Sequence, residues 1–388
     1  MNQVMQYIDY LIQHYGWQGT ALAAVILLLF FIQLYYHIVA YGRVARFRNS
    51  RRRKIHESEP PISIVIPIFS EDYNYLDTRL HDIMGQQYSA NFELVLVYVG
   101  ADNDYFEELN NMRLRYPNLV VTRIYEPRFP ITVKLALNIG IKSAHYEHIV
   151  ITTADATPAS EQWLATMGKA FMRGNIVLGY TAIEPAAGLA NYIIRMSRMQ
   201  ISTYWLAGAT DGQTYRGSRH NFGFTKSLYF GNKGFTHLNM AIGENDLFLQ
   251  SIAKRNNVSI ALIPKGTMIE GQWGGLRWWI NHLHHYGEAY RFYPLAARNA
   301  IEWELGSQAL FFLTILTALI FMPLEFKAVA LLLLIVRYIA VVVRARSIAK
   351  RVGEKSIALK YFIFDMFNPL LMMCLRTSML RKDSTAWK

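Results

Sequence analysis

Cysteine is nearly absent. Cys374 is the only one in 388 residues, which excludes a disulfide framework within the chain and a zinc site built on cysteine. Acidic residues are also in short supply, 28 Asp and Glu against 40 Lys and Arg, for a net charge of +12. Much of that excess lies beside apolar segments, so it reads as membrane-flanking clusters and not as a nucleic-acid-binding surface. Formal charge is missing between Thr20 and Tyr41, where only His37 can carry one near neutral pH. That run of about 22 residues is long enough to cross a bilayer as a helix. No internal repeat or low-complexity tract is present.

The apolar core of this first run is too long for a cleaved signal peptide and no small-residue cleavage site follows it, so it reads as an anchor. Arg43, Arg46, Arg48, Arg51, Arg52, Arg53 and Lys54 come next. Cations beside a span stay on the cytoplasmic side, which places the amino terminus outside and residues from about 43 onward inside. Two further apolar blocks, about 307–321 and 328–343, are separated by Pro323, Glu325 and Lys327 and form a helical hairpin. Arg344, Arg346, Lys350, Arg351 and Lys355 then agree with a return to the cytoplasm. Arg337 inside the third block either snorkels or faces a protein interior. The last apolar stretch, Ile357 to Leu380, carries Lys360, Asp365, Asn368, Pro369 and Arg376 and reads as interfacial or re-entrant. Spanning would put Arg381 and Lys382 outside, against the charge rule.

The expected order is therefore an anchor at 1–42, a basic linker at 43–60 and a globular domain at 61–272. Amphipathic interfacial helices at 273–305, the hairpin at 306–343, and a basic loop with a terminal interfacial or transmembrane helix at 344–388 complete it. Inside the domain, strand-like and helix-like segments alternate, the pattern of an α/β fold with a mostly parallel central sheet. Ile62–Ile68 and Phe92–Val99 are continuous apolar runs of the kind buried on both faces, and Leu119–Tyr125 is a third strand. Helices are expected after Ser70, Glu71 and Asp72 to about Gln87, from Asp102 to Tyr116 and from Thr132 to Ala144.

The segment Glu147–Pro158 (EHIVITTADATP) organises the chain: a β-branched strand at Ile149–Ile151 stops abruptly and leaves one carboxylate, Asp155, just beyond it. Ligands of open α/β sheets bind at the carboxyl ends of the strands, so Asp155 is either a site residue or the cap of a helix over Ala159–Phe171. Downstream, Gly243–Lys254 (GENDLFLQSIAK) opens a helix with Glu244 and Asp246 in its first turn. The loop Tyr215–Asn221 (YRGSRHN) brings Arg216, Arg219 and His220, and Trp273–Tyr293 mixes Trp, His, Tyr and Arg.

Taken together, ISIVIPIFSED, KLALNIGIKSAHYEHIV, TADATP and GENDLFL, in that order, resemble the membrane-bound family 2 glycosyltransferases. That group includes cellulose, chitin and hyaluronan synthases and ceramide glucosyltransferase. The resemblance implies a GT-A-type nucleotide-sugar-binding domain with transmembrane helices at both ends. It implies an inverting transfer from a nucleotide sugar, a UDP-sugar, to a lipid or polysaccharide acceptor at the cytoplasmic membrane face.

Residue by residue, it implies donor binding at Glu71, Lys134 and Asp155, with Mg2+ or Mn2+ held at Asp155 and a catalytic base at Asp246 or Glu244. The family's membrane-proximal QxxRW motif has two registers here: Gln272, Arg277 and Trp278 have the residue types, whereas Asn281, His284 and His285 have the spacing and are preferred. The sequence also departs from the pattern. Thr153 stands where the metal motif has its first aspartate, and Tyr98 and Val99 stand where paired aspartates hold the nucleobase. Asp102 or Asp104 is a later substitute for those. A relative that binds nucleotide sugar or a partner synthase without turnover is the alternative these departures raise.

Overall fold

The computed structural model describes residues 2–49, 53–125, 131–235, 244–271 and 274–380. Arg51, Arg52, Gly243, Gln272, Trp273, Arg381 and Lys382 lie outside the described residues. The domain is built on a seven-stranded sheet whose members are β1 (Ile62–Ile68), β2 (Phe92–Val99), β3 (Leu119–Ile124), β4 (His148–Ile151), β6 (Ile176–Gly179), β8 (Phe222–Thr225) and β9 (Val258–Ala261). Their spatial order is β3-β2-β1-β4-β8-β6-β9. β3, β2, β1 and β4 are mutually parallel, and β8 runs antiparallel to both of its neighbours.

Strict alternation explains how the sheet is covered. Ile62, Ile64, Ile66 and Ile68 of β1 and Leu94, Leu96 and Tyr98 of β2 enter one core, with Leu80, Leu109 and Trp163 from the helices on that face. Val65, Val95 and Val97 enter the other core, with Ala136, Leu137 and Ile141 of the Val133–Ser143 helix. Every residue of β1 is buried, as the uninterrupted apolar run demands. The Val133–Ser143 helix sits close because Gly140 has no side chain: a Cβ there would come within 2.5 Å of Val65 and 2.8 Å of Val97.

Where one amphipathic helix is expected after β1, the chain forms a π-helical turn at Tyr75–Arg79 followed by Leu80–Met84. The wider turn keeps Tyr75 and Leu76 on the same buried face as Leu80 and Ile83. A second sheet was not anticipated. Three short strands, β5 (Ala156–Pro158), β7 (Thr181–Ile183) and β10 (Met268–Glu270), pair in the order β5-β10-β7. β10 is antiparallel to β5 and parallel to β7.

Three helices among the described residues are long and apolar enough to cross a membrane: Gln13–Arg46, Leu295–Phe321 and Leu324–Val352. The hairpin therefore extends beyond 306–343 at both ends. Residues 295–305, expected to be interfacial, continue straight into its first helix, Leu295–Phe321, which Gly306 does not break. Arg337 takes the interior option: it is fully buried, with Nη1 2.7 Å from Asp365 Oδ2, and Nε and Nη2 donating to Gln33 Oε1 at 3.1 and 2.8 Å. The Tyr361–Leu380 helix turns Tyr361, Phe364, Asp365 and Asn368 inward and leaves Phe362, Ile363, Met366, Phe367, Leu370 and Met373 exposed along the opposite side. One core runs from the sheet through Val44, Val341, Ala345, Ile348 and Tyr361, which seats the domain directly on the bundle.

Candidate active site

β4 delivers Asp155 to the carboxyl edge of the parallel sheet. Thr152 N–H still donates to the Val65 carbonyl at 3.3 Å, after which the chain turns through Thr153 and Ala154 into β5. The following helix begins only at Trp163, with Gln162 at its N-cap, so Asp155 does not cap it. Its backbone carbonyl accepts from Gly271 N–H at 3.2 Å, and its side chain is 36% exposed. Thr153 donates its hydroxyl to Asp155 Oδ1.

Beneath Asp155 lies His220, almost fully buried just before β8. Its Nδ1 contacts the Thr153 hydroxyl and is 3.6 Å from Asp155 Oδ1, and its Nε2 is 3.3 Å from Glu270 Oε2. The neighbouring Asn221 fixes this stretch: its Nδ2 donates to the carbonyls of Tyr180 at 2.9 Å and Gly266 at 2.8 Å, and its Oδ1 accepts from Trp163 Nε1 at 3.0 Å. Asn221 fits only because Gly179 lacks a side chain, since a Cβ there would fall 2.2 Å from the Asn221 amide.

Glu270 ends β10 and is 1% exposed. Arg198 Nη2 donates to its Oε2 at 2.6 Å, and His282 Nε2 is 3.7 Å from its Oε1, which has no hydrogen-bond partner among the described residues. Burial alone would raise the Glu270 pKa, but Arg198, His220 and His282 outweigh it and hold the carboxyl well below its usual range. Burial, reinforced by the Arg198 charge and opposed by Glu270, pushes His282 down to about 3, so it is neutral near pH 7. The unfolded chain takes up a proton at His282 below about 6.5 that the folded chain refuses until about 3, so stability falls as pH drops through that window. Loss of the ionised Glu270 acts in the same direction at lower pH. Thermal unfolding followed from pH 7 to pH 4 is expected to lose several degrees, and His282→Gln is expected to flatten part of that slope; an unchanged slope would exclude His282 as a source.

The acidic motif forms a second cluster. Glu244 opens the Glu244–Ile252 helix, and Asp246, 6% exposed, accepts from Tyr293 Oη at 2.5 Å. Arg216 Nη1 is 3.8 Å from the same Asp246 oxygen and donates to Tyr293 Oη at 2.9 Å. Burial would lower the Arg216 pKa, but Tyr293 and Asp246 raise it, so its charge is secure. One face of the Gly275–Tyr290 helix joins the clusters. Trp279 stacks on His282 and is buried, which makes it an interior residue. One turn on, about 6 Å along the axis, the Tyr286 ring lies 4.5 Å from the Arg216 guanidinium.

Of the expected donor-side residues, Glu71 follows β1 and accepts from Tyr98 Oη at 2.5 Å. Tyr98 is fully buried and meets the β1 loop from the end of β2. Asp102 caps the Asn103–Arg115 helix by accepting from Tyr105 N–H at 2.9 Å, and Asp104 lies in its first turn. Arg79 ties the β1 and β4 loops, donating to the Ala154 carbonyl at 3.2 Å and lying 3.8 Å from Asp72. Lys134 is half-buried in the first turn of the Val133–Ser143 helix. On the Gly275–Tyr290 helix, Asn281 is exposed, His284 is partly buried, and His285 lies in the same helix. The histidine that meets the carboxylate cluster is His282. Sequence reasoning missed Arg198, Glu270 and Tyr293 because their partners are far along the chain: Glu270 is 72 residues from Arg198, and Tyr293 is 47 from Asp246.

Among the described residues no group of three or more His, Cys, Asp and Glu side chains is placed to hold a metal ion. Asp155 offers a single accessible carboxylate. That matches Mg2+ or Mn2+ held by one carboxylate together with substrate phosphates and water, and does not match a cage made of protein alone.

No protein-family model matches the chain, and no curated protein matches it. Among solved structures it is similar to the mannosyltransferase PcManGT from Pyrobaculum calidifontis, determined in complex with GDP-Man and Mn2+. The TM-score is 0.53 at 16% identity, over 90% of this chain and 99% of that chain. TarS from S. aureus, residues 1–349 in complex with UDP-GlcNAc, is more distant, with a TM-score of 0.41 at 14% identity over 82% of this chain and 92% of that chain. The mixed α/β fold with a seven-stranded, mostly parallel sheet is thus a fold found among glycosyltransferases.

Proposed function

We propose that this chain is a membrane-anchored glycosyltransferase of the GT-A type and of family 2. In this reading it transfers a sugar, with inversion, from a UDP-sugar to a lipid or glycan acceptor at the cytoplasmic face. The observation that carries it is Asp155: an accessible carboxylate at the carboxyl edge of the central sheet, supported from below by Thr153 and His220, in a fold shared with a nucleotide-sugar enzyme. The basic residues flanking the spans support the cytoplasmic side.

Asp155 would hold the Mg2+ or Mn2+, which when bound supplies charge neutralisation for a leaving diphosphate. Lys134 adds a positive charge on the donor side, and Glu71, held by the Tyr98 hydroxyl, is the other donor contact. The acceptor hydroxyl oxygen forms the new bond to the anomeric carbon as the bond from that carbon to the diphosphate oxygen breaks. The hydroxyl proton passes to a carboxylate of the acidic motif, Asp246 in the preferred assignment and Glu244 otherwise. Tyr293 and Arg216 orient Asp246.

The test is a donor screen with the purified full chain, lipid and glycan acceptors, and magnesium, manganese or chelator. Nucleoside diphosphate release that needs both acceptor and metal is expected; no release with any donor would overturn transferase activity. Asp155→Asn removes charge without volume and is expected to abolish metal-dependent donor binding by calorimetry while the unfolding temperature stays near that of the parent. Undiminished binding with metal present would remove Asp155 from the donor site. A second reading, a binder of nucleotide sugar without turnover, is favoured by the burial of Asp246 beneath Tyr293 and by Thr153 at the metal motif. Calorimetric donor binding without release identifies it.

A further inference from the structure

A separate cavity of about 630 Å3 opens where the spans meet the domain, and no residue of the Asp155 or Asp246 clusters lines it. Its walls hold five cationic side chains, Arg48, Lys169, Arg173, Lys265 and Arg351, against one carboxylate, Glu59. That carboxylate neutralises little. It accepts from Ser89 at 2.7 Å and is 3.9 Å from Lys169, too long for a strong contact. Two of the other cations are held by neutral groups: Lys265 Nζ donates to Gln162 Oε1 at 2.7 Å, and Arg351 donates to the carbonyls of Ala45 and Phe47. Arg173 Nε is buried with no hydrogen-bond partner among the described residues. Gathering like charges costs free energy unless an anion compensates them.

The cavity also has a fixed relation to the membrane. Arg48 follows the end of the Gln13–Arg46 span and Arg351 lies at the end of Leu324–Val352, and the Arg351–Ala45 bond holds those two ends together. The walls therefore begin where two helices long and apolar enough to cross a membrane end on the side of the domain. Arg351 is fixed by backbone carbonyls and Lys265 by an amide, which pre-arranges the donors and lowers the entropy cost of capturing a ligand. Arginine and lysine at such a place pair well with phosphate oxygens, Arg by its forked donors and Lys as a point charge. We propose that this cavity is a binding site for a phosphate-bearing anion, either the headgroup of an anionic phospholipid in the adjoining leaflet or a soluble phosphate compound.

The test uses the purified full chain in nonionic detergent and follows the unfolding temperature, which rises with any ligand that binds only the folded state. The probes are dihexanoyl phosphatidylglycerol, dihexanoyl phosphatidylcholine, whose choline offsets the phosphate charge, and inorganic pyrophosphate. Phosphatidylglycerol is expected to raise the unfolding temperature saturably, less so at high salt, and phosphatidylcholine is not. The paired variant Lys169→Gln with Lys265→Gln, which alters two side chains outside both carboxylate clusters, is expected to weaken that response roughly 10- to 30-fold. A response to phosphatidylglycerol alone assigns the site to a lipid headgroup; a response to pyrophosphate as well, lost in the paired variant, assigns it to phosphate from either source. Equal responses to the two lipids, no response to phosphatidylglycerol or pyrophosphate, or a paired variant that responds like the parent would each overturn the proposal. Because neither lysine belongs to the donor site, this outcome is independent of sugar transfer.

Discussion

Asp246→Asn is expected to lower turnover by about 10²- to 10⁴-fold while donor affinity stays near that of the parent, the signature of a group that acts in the chemical step. The side chain keeps its volume and can still accept from Tyr293 Oη, whereas a neutral amide cannot take the acceptor proton. The same change leaves Arg216, whose Nη1 lies 3.8 Å away, with less compensation, so some stability is also lost. The two effects separate by measurement: a purely structural role lowers the unfolding temperature and the yield of active protein but leaves turnover per folded molecule unchanged. Tyr293→Phe is the companion variant, since it removes the donor to Asp246 and retains the carboxylate. Glu244→Gln is expected to lose less. If both carboxylate variants keep full turnover on an acceptor that the parent uses, the base lies elsewhere, and the buried Glu270–His220 pair is then the next place to look.

Asp365→Leu is expected to cost about 3–5 kcal/mol, because it strands the fully buried Arg337 guanidinium among apolar helices. The pair is close, 2.7 Å, and Arg337 is otherwise met by Gln33 and by the rings of Phe312 and Tyr338 at 4.9 and 5.4 Å. Neither an amide nor a ring replaces a negative charge in so apolar a setting. The double variant Arg337→Leu with Asp365→Leu removes both charges and is expected to recover most of the loss. Thermal unfolding in one detergent, applied to the parent, both single variants and the double variant, gives the coupling directly. Additive losses would show that the pair is not the link between the terminal helix and the spans. Gln33, Arg337 and Asp365 come from three different helices, so a strong coupling also means that the bundle closes through this contact.

Much of this architecture was legible along the chain. The uninterrupted apolar runs at Ile62–Ile68 and Phe92–Val99 became strands buried on both faces, and Asp155 stands just beyond a strand at the sheet's carboxyl edge, as its surroundings required. The three helices long and apolar enough to cross a membrane were legible from length and hydropathy. The small sheet was not, since each of its strands has only three residues and β5 pairs with β10 more than a hundred residues away. β8 itself was not legible: Phe222–Thr225 lies in the polar stretch 215–226 that reads as loop and turn, and four residues carry no mark of a partner or its direction.

The same division runs through the site and the membrane bundle. Sequence alone determined which residues bear charge, where apolar runs are long enough to become strands or spans, and that Asp155 and the GENDLFL carboxylates belong to an α/β domain, because periodicity and hydropathy are set by neighbours a few residues apart. Only the tertiary structure decided that Thr153 and His220 support Asp155, that Arg198 and His282 converge on Glu270, that Tyr293 holds Asp246, and that Arg337 turns inward to Asp365. A buried charge must find a partner wherever the fold brings one within a few ångströms, and that partner need not be near it in the chain.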